Sequence, residues 1–213
     1  MVDPLNSNEK RTIREYDLNA SFYQRTEPPL NDLGVSEGLL MARRLMTDDP
    51  LCLDIGCGHG RMFPAFRNSG INRYVGIDPS RKCIEIARQN YPDADFRVTS
   101  VYELGRQFSR EFFDAFFAVT TLAHIPPHKM GRALRCIRGV IRRGGIGCIT
   151  MPPISSSLKL FQTKPIGPEH TGPFTTMYSF DLDEFIATIK TSDFELCEPI
   201  YDEVMMVMAV RAV

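Results

Sequence analysis

The spacing of apolar positions changes near residue 50. Before it the period is helical. Ile13, Tyr16, Leu18, Ala20 and Tyr23 recur through Glu9–Gln24, and Glu27-Pro28-Pro29-Leu30-Asn31-Asp32 breaks the run. A second helix is predicted from about Val35 to Met46, ended by Asp48-Asp49-Pro50. Beyond it, short apolar runs alternate with amphipathic stretches. Leu51–Ile55, Arg73–Ile77, Ala94–Val98, Phe112–Val119 and Ile146–Met151 read as strands. Helices are predicted between them at Arg61–Asn68, Ser80–Gln89, Tyr102–Phe108 and His128–Arg143. Pro64 falls in a first turn, where a missing N–H costs little, and Ser80 suits a helix cap. Met130, Leu134, Ile137 and Ile141 share a face of the last helix, which Gly144-Gly145 should end.

Strands and helices that alternate with short links imply a doubly wound parallel sheet. The carboxyl-terminal pattern differs: a helix over Asp181–Lys190, then strands over Phe194–Pro199 and Val204–Val213. Their link is too short for a parallel crossover, so they should form an antiparallel hairpin. The expectation is an α/β seven-stranded sheet, mostly parallel with one antiparallel strand, and a helical amino-terminal cap. As one domain it divides into a cap at 1–50, a core at 51–151, a variable segment at 152–178 and a final helix and hairpin at 179–213. The stretch Ile154–Met177 holds Pro165, Gly167, Pro168, Gly172 and Pro173. Long loops of this kind are commonly functional, and this one should overhang the strand ends as a lid. Phe161, Phe174, Met177 and Tyr178 would supply an apolar wall.

Charge then narrows the partners. The chain of 213 residues carries 25 Lys+Arg against 26 Asp+Glu, a net charge of -1. Nucleic-acid binders normally carry a basic surplus, so none is expected here. The basic residues of 129–143 read as a solvated face. No apolar run approaches the ~20 residues that span a bilayer. The polar start has no apolar signal region, so a cytoplasmic protein is expected. Six cysteines without a CxxC pair read as reduced core thiols, with no metal site. Oligomeric state is not legible.

Candidate chemistry concentrates in two places. Asp54-Ile55-Gly56-Cys57-Gly58-His59-Gly60 joins a strand to a helix, and such glycines admit positive φ and close backbone approach to a ligand. Free N–H groups of the following helix would favour a negative group there. The next strand ends in Asp78, twenty residues after Gly58. A carboxylate there sits beside the loop and can accept ribose hydroxyls. Together they indicate a nucleoside cofactor. The G-x-G-x-G spacing differs from the G-x-G-x-x-G of nicotinamide sites.

Leu53–Gly60 resembles motif I of class I S-adenosylmethionine-dependent methyltransferases, and Val75–Pro79 resembles the acidic motif that follows it. Phe113–Val119 with Leu122–Pro126 is similar to that family's fourth strand and loop, and Arg142–Gly147 to the turn into its fifth strand. The resemblance spans roughly residues 10 to 213. It implies a Rossmann-like fold, S-adenosylmethionine as cofactor, and in-line methyl transfer. By the same resemblance, Gly56, Gly58 and Gly60 line the methionine moiety with backbone at Cys57 and His59. Asp54 holds the loop or meets the cofactor amine through water. Asp78, followed by Pro79, takes the ribose. Ser100-Val101-Tyr102 lies along the adenine. Thr120, Thr121 and His124 face the sulfonium end. Tyr16 and Tyr23 resemble tyrosines of the amino-terminal helix of small-molecule methyltransferases. Ser100 and Ala123 depart from the family, which often has an acid or amide at the first and an acid at the second.

His124 is the candidate base for an oxygen or nitrogen acceptor. His59 reads as a solvent-facing filler, His128 as a helix start, and His170 lies in the variable segment. Pro126-Pro127 lacks the flanking residues of base- and glutamine-modifying enzymes, so a small-molecule acceptor is expected. A catalytically silent cofactor- or partner-binding protein and a protein-directed enzyme remain the alternatives. A nicotinamide oxidoreductase is disfavoured by the glycine spacing.

Overall fold

The computed structural model describes residues 4–27, 29–31, 37–151, 161–162, 175–178, 180–201 and 206–213. Helix α1 (Ser7–Thr26) and α2 (Glu37–Arg44) precede β1 (Leu51–Ile55). Then come α3 (Phe63–Asn68), β2 (Arg73–Asp78), α4 (Arg81–Asn90), β3 (Asp95–Val98), α5 (Leu104–Gln107), β4 (Phe113–Val119), α6 (Pro127–Val140) and β5 (Ile141–Met151). A short pair, β6 (Phe161–Gln162) and β7 (Thr176–Met177), is followed by α7 (Leu182–Lys190), β8 (Phe194–Tyr201) and β9 (Met206–Ala212).

The seven-stranded sheet has the order β3-β2-β1-β4-β5-β9-β8. β1 through β5 pair in parallel, while β9 runs antiparallel to both β5 and β8. This is the expected sheet with its single reversed strand. One apolar layer packs Phe113, Phe116, Leu134, Ile137 and Phe185 on one face. The other packs Phe66, Tyr74, Phe96 and Phe117 on the opposite face. Near-continuous burial of β1 and β4 follows from this double cover. Among the described residues no helix is long and apolar enough to cross a membrane. All six cysteines are free thiols; Cys52, Cys57, Cys83 and Cys148 are buried, whereas Cys136 and Cys197 are half-buried.

Two elements differ from their sequence reading. Helix α6 ends at Val140, and Ile141 already pairs with Phe113 as the first residue of β5. A register shift then lets Ile146 pair with Ala115. Arg142 turns back to Asp114 at 2.9 Å, and the same carboxylate accepts Leu51 N–H at 2.7 Å. The apolar period continues to Ile141, so the period could not see this break. The second difference is β6–β7, an antiparallel ladder within the stretch read as a lid loop without strands. His170 and Phe174 lie outside the described residues, as does the side chain of Phe161.

Helix α1 buries Glu9, Thr12, Asn19 and Ala20. A helix whose inward face is mostly polar is held by directed bonds rather than by oil. The Glu9 carboxylate accepts from Lys129 Nζ at 2.6 Å, Tyr102 Oη at 2.7 Å and Asn6 N–H at 2.8 Å. Nearer the carboxyl end, Asp17 accepts from Ser80 Oγ at 2.6 Å and Lys82 N–H at 3.0 Å, docking α1 on the first turn of α4. These bonds lay α1 across the carboxyl ends of the parallel strands.

Candidate active site

The strand order reverses in the sheet between β1 and β4. After β1 the chain moves outward through β2 and β3; later it returns to β4 on the other side. Ligands of open α/β sheets bind in the crevice outside the strand ends at such a switch point. Here a cavity of about 440 Å³ opens at that place. Its wall includes residues after β1, β2, β3 and β4 and the inner face of α1.

The sequence-selected residues converge on it. Asp54, Gly56, Cys57, Gly58, Asp78, Pro79, Ser100, Val101, Tyr102, Thr120, His124, Tyr16 and Tyr23 all line the cavity. Gly60 is placed elsewhere: a Cβ there would meet Tyr91 and Phe96, so it packs the loop against α4 and β3. His59 is a correction. It is buried, and its Nε2 lies 3.2 Å from the Glu27 carbonyl. The chain leaving α1 passes over the loop and covers it. Burial accordingly lowers the His59 pKa.

Four N–H groups of the loop are spent within the protein. Gly56 and Cys57 N–H both donate to the Ile77 carbonyl, at 2.8 and 3.0 Å. Gly60 N–H donates to Cys57 O at 3.0 Å, and Gly58 N–H to Asp78 Oδ2 at 3.0 Å. Helix α3 begins only at Phe63 and has six residues. A pyrophosphate is cradled by free backbone donors. A loop that has spent these donors works by close approach instead, which suits a cofactor without phosphates.

Two carboxylates face the cavity with different partners. Asp78 Oδ1 accepts Ser80 N–H at 2.7 Å, opposite its bond to Gly58. Burial lifts its pKa to about 6, against the pull of those two N–H bonds. Asp54 accepts Tyr74 Oη at 2.7 Å on Oδ2. Burial lifts its pKa to about 7; the Tyr74 bond opposes this and the Asp78 charge adds to it.

At the other side, Thr120 has φ 55°, an outlier for a β-branched residue. Its N–H is held by Thr150 through both the carbonyl at 3.1 Å and Oγ1 at 2.8 Å. Strain of this kind persists where the surroundings over-determine the backbone, and it collects at functional sites. His124 is half-buried, with Nδ1 at 2.8 Å from Thr176 O and Nε2 at 3.2 Å from Tyr16 Oη. Burial lowers its pKa, so the ring is neutral. The Tyr16 and Tyr23 rings lie 5.2 Å apart.

Sequence reasoning missed several wall residues. Glu9, Thr12 and Ile13 share the cavity face of α1 with Tyr16. Their i, i+3, i+4, i+7 spacing was a usable signal, but two of the four are polar and an apolar count passes over them. Thr99 was also missed. Its hydroxyl is buried at the cavity wall without a protein partner, whereas Ser100 Oγ is turned to Glu103 at 3.4 Å. Nothing in the pattern distinguishes Thr99 from its neighbour.

An open α/β sheet with a glycine loop and an acidic strand end at its switch point defines a Rossmann-like nucleoside-cofactor protein. Residues 53–149 match the family model of the methyltransferase domain. Solved structures agree in fold. A methyltransferase dependent on S-adenosylmethionine from Methanosarcina mazei is 18% identical, with 81% of this chain and 97% of that one covered at a TM-score of 0.68. The 1,6-didemethyltoxoflavin-N1-methyltransferase of Burkholderia thailandensis, bound to its substrate and S-adenosylhomocysteine, is also 18% identical, with 100% and 93% covered and a TM-score of 0.68. Magnesium protoporphyrin IX methyltransferase from Synechocystis PCC 6803, with bound S-adenosylmethionine, is 12% identical over 100% of both chains at a TM-score of 0.68. At these identities structural likeness speaks for the fold alone. Residues 53–149 are thus a methyltransferase domain, set in a fold shared with S-adenosylmethionine-dependent methyltransferases. The site fits that cofactor: the orphaned Thr99 hydroxyl faces the cavity, and open space lies above Gly58.

Proposed function

We propose that the enzyme methylates a small molecule through an oxygen or nitrogen nucleophile. The carrying observation is the way α1 is locked over the strand ends. Glu9 and Asp17 fix it, and Arg11 Nη2 bonds Thr176 Oγ1 at 2.9 Å. A cavity of about 440 Å³ beneath this helix suits a compact ligand. Tyr178 N–H donates to Ala123 O at 2.7 Å, but neither Met177 nor Tyr178 lines the cavity as the expected apolar wall. The Burkholderia relative's substrate is of this small kind.

When bound, the cofactor supplies an electrophilic methyl on a sulfonium centre. The chain supplies placement and exclusion of water. In this reading Asp78 accepts the ribose hydroxyls, with Pro79 fixing the turn behind it. Asp54 takes the cofactor ammonium. Val101, Tyr102, Ser100 and the Thr99 hydroxyl hold the adenine. Gly56, Cys57 and Gly58 flank the methionine chain, and Thr120, Thr121, Tyr16, Tyr23 and His124 surround the transfer point.

Tritiated-methyl S-adenosylmethionine, incubated with enzyme and a fractionated cell extract, tests the acceptor class. Label is expected in the low-mass fraction. Label in protein or nucleic acid overturns the small-molecule reading, and label nowhere favours a silent binding protein.

The Asp54 assignment carries its own prediction. The folded-state pKa of about 7 lies above the ordinary value of 3.8. The free fold therefore loses stability from this group as pH rises through about 7. Ligand binding runs the other way, because an ammonium needs the ionised carboxylate. S-adenosylhomocysteine, which keeps the amine, should bind more weakly as pH falls from 8 to 6. Near pH 7 binding should release about half a proton. Calorimetry in two buffers of different ionisation enthalpy reads this directly. Proton uptake, or none, would remove Asp54 from the amine.

A further inference from the structure

His124 presents a constraint that any base chemistry must respect. Its Nδ1 faces the Thr176 carbonyl at 2.8 Å. A carbonyl only accepts, so Nδ1 carries the ring proton. In a neutral imidazole the basic lone pair is then on Nε2. That lone pair faces the Tyr16 hydroxyl at 3.2 Å, which must donate to it. The two rings meet edge to face, with centroids 5.6 Å apart. Both ring nitrogens of His124 are thus engaged within the protein, although the ring lines the cavity. The Tyr16 oxygen keeps its own lone pairs, and Tyr16 lines the cavity.

We infer that Tyr16 is the group that takes the acceptor proton, passing its own proton to Nε2 of His124 in a two-step relay anchored by the Thr176 carbonyl. The inference rests on the small-molecule reading and narrows it to acceptors with an O–H or N–H bond that must break. The balance is simple. The X–H bond breaks, its proton goes to Tyr16 Oη, and the phenolic proton goes to His124. The freed electron pair on X forms the bond to the methyl carbon, and the cofactor sulfur keeps the pair of the broken S–C bond. The proton on His124 then leaves to solvent. Tyrosine is suited to this place because it remains a phenol: burial is the main cause that drives its pKa up, so it is never lost as a stable phenolate.

Thr176 gives the relay a second property. It lies in β7, beside α1, where its own N–H is 3.4 Å from Thr12 Oγ1. The carbonyl that fixes the His124 tautomer therefore comes from the acceptor-side segment.

Two readouts test the relay. With tritiated-methyl S-adenosylmethionine and the low-mass extract fraction, Tyr16→Phe and His124→Asn should each lower turnover ~100-fold or more. The double variant should be no worse than either single one, as for groups that act as a unit. S-adenosylhomocysteine affinity should change by less than about threefold, since a merely structural role would move binding as well. Additive losses, or turnover retained in either single variant, overturn the relay. Long-range nitrogen NMR of the free enzyme needs no acceptor. His124 is expected as the Nδ1–H tautomer, and Tyr16→Phe should move its Nε2 resonance to that of a free lone pair. An Nε2–H tautomer, or an unmoved resonance, overturns the relay on its own. A wild-type enzyme that labels no small molecule sinks the acceptor reading, and the NMR result then decides the relay separately.

Discussion

Gly56→Ala is expected to lower the melting temperature by about 6–12 °C and to abolish measurable cofactor binding. Gly56 has φ 72°, where an L side chain costs ~1–2 kcal/mol. Its new Cβ would also fall 2.5 Å from Thr121 Cβ and run into the Thr121 hydroxyl. Rotating Thr121 relieves the hydroxyl but not Cβ, so backbone must shift, an overpacking cost of ~1–3 kcal/mol. The sum, about 3 kcal/mol, converts at ~2–4 °C per kcal/mol for a chain of this size. The shift would part the β1 loop from the β4 loop, the two sides of the cavity.

Gly58→Ala separates fold from ligand. Its Cβ would meet no protein atom within 4 Å, although φ is 55°. Only the left-handed cost of ~1–2 kcal/mol remains, so the melting temperature should fall by about 2–8 °C. Binding should still be lost, because the methyl group takes space the cofactor needs. A thermal melt beside calorimetry with S-adenosylhomocysteine distinguishes the two variants. Wild-type affinity in Gly58→Ala would show that the loop is not the cofactor wall.

The legible parts of this protein are those where one physical signal dominates. Apolar runs such as Phe113–Val119 buried on both faces announce strands without ambiguity. The loop after β1 and the acid that ends β2 are adjacent because β1 and β2 are parallel neighbours, with Asp54 opposite Gly76. The hairpin followed from chain length alone. Legibility failed where two signals coincide. Ile141 satisfies the helical face of α6 and also begins β5, and only the partner Asp114 decides where Arg142 turns. His59 looked solvent-facing because its cover, near Glu27, is distant in sequence. The inward face of α1 is polar, so its role depends on Lys129, Tyr102 and Ser80, which no periodicity links to it. The Tyr16–His124 contact spans 108 positions and is tertiary throughout.

Asp78→Ala is expected to weaken S-adenosylhomocysteine binding by ~2 kcal/mol or more, at least about 30-fold, since charge-assisted hydrogen bonds contribute about that each. The geometry explains why the loss should be large. Both carboxylate oxygens already accept a backbone N–H, one from the β1 loop and one from the start of α4. The side chain is thereby oriented before any ligand arrives, so binding costs no side-chain ordering. Each oxygen retains a lone pair for a ribose hydroxyl. Removing it also orphans the Gly58 and Ser80 N–H groups, so some of the measured loss would report loop disorder rather than ribose contact. An analogue lacking both ribose hydroxyls resolves this. If the carboxylate binds them, the analogue should bind wild type about as weakly as Asp78→Ala binds the parent, and the variant should hardly distinguish the two ligands. Equal discrimination by wild type and variant would confine Asp78 to bracing the loop. Asp78→Asn should not rescue, because an amide turns an N–H donor toward one of the two backbone donors.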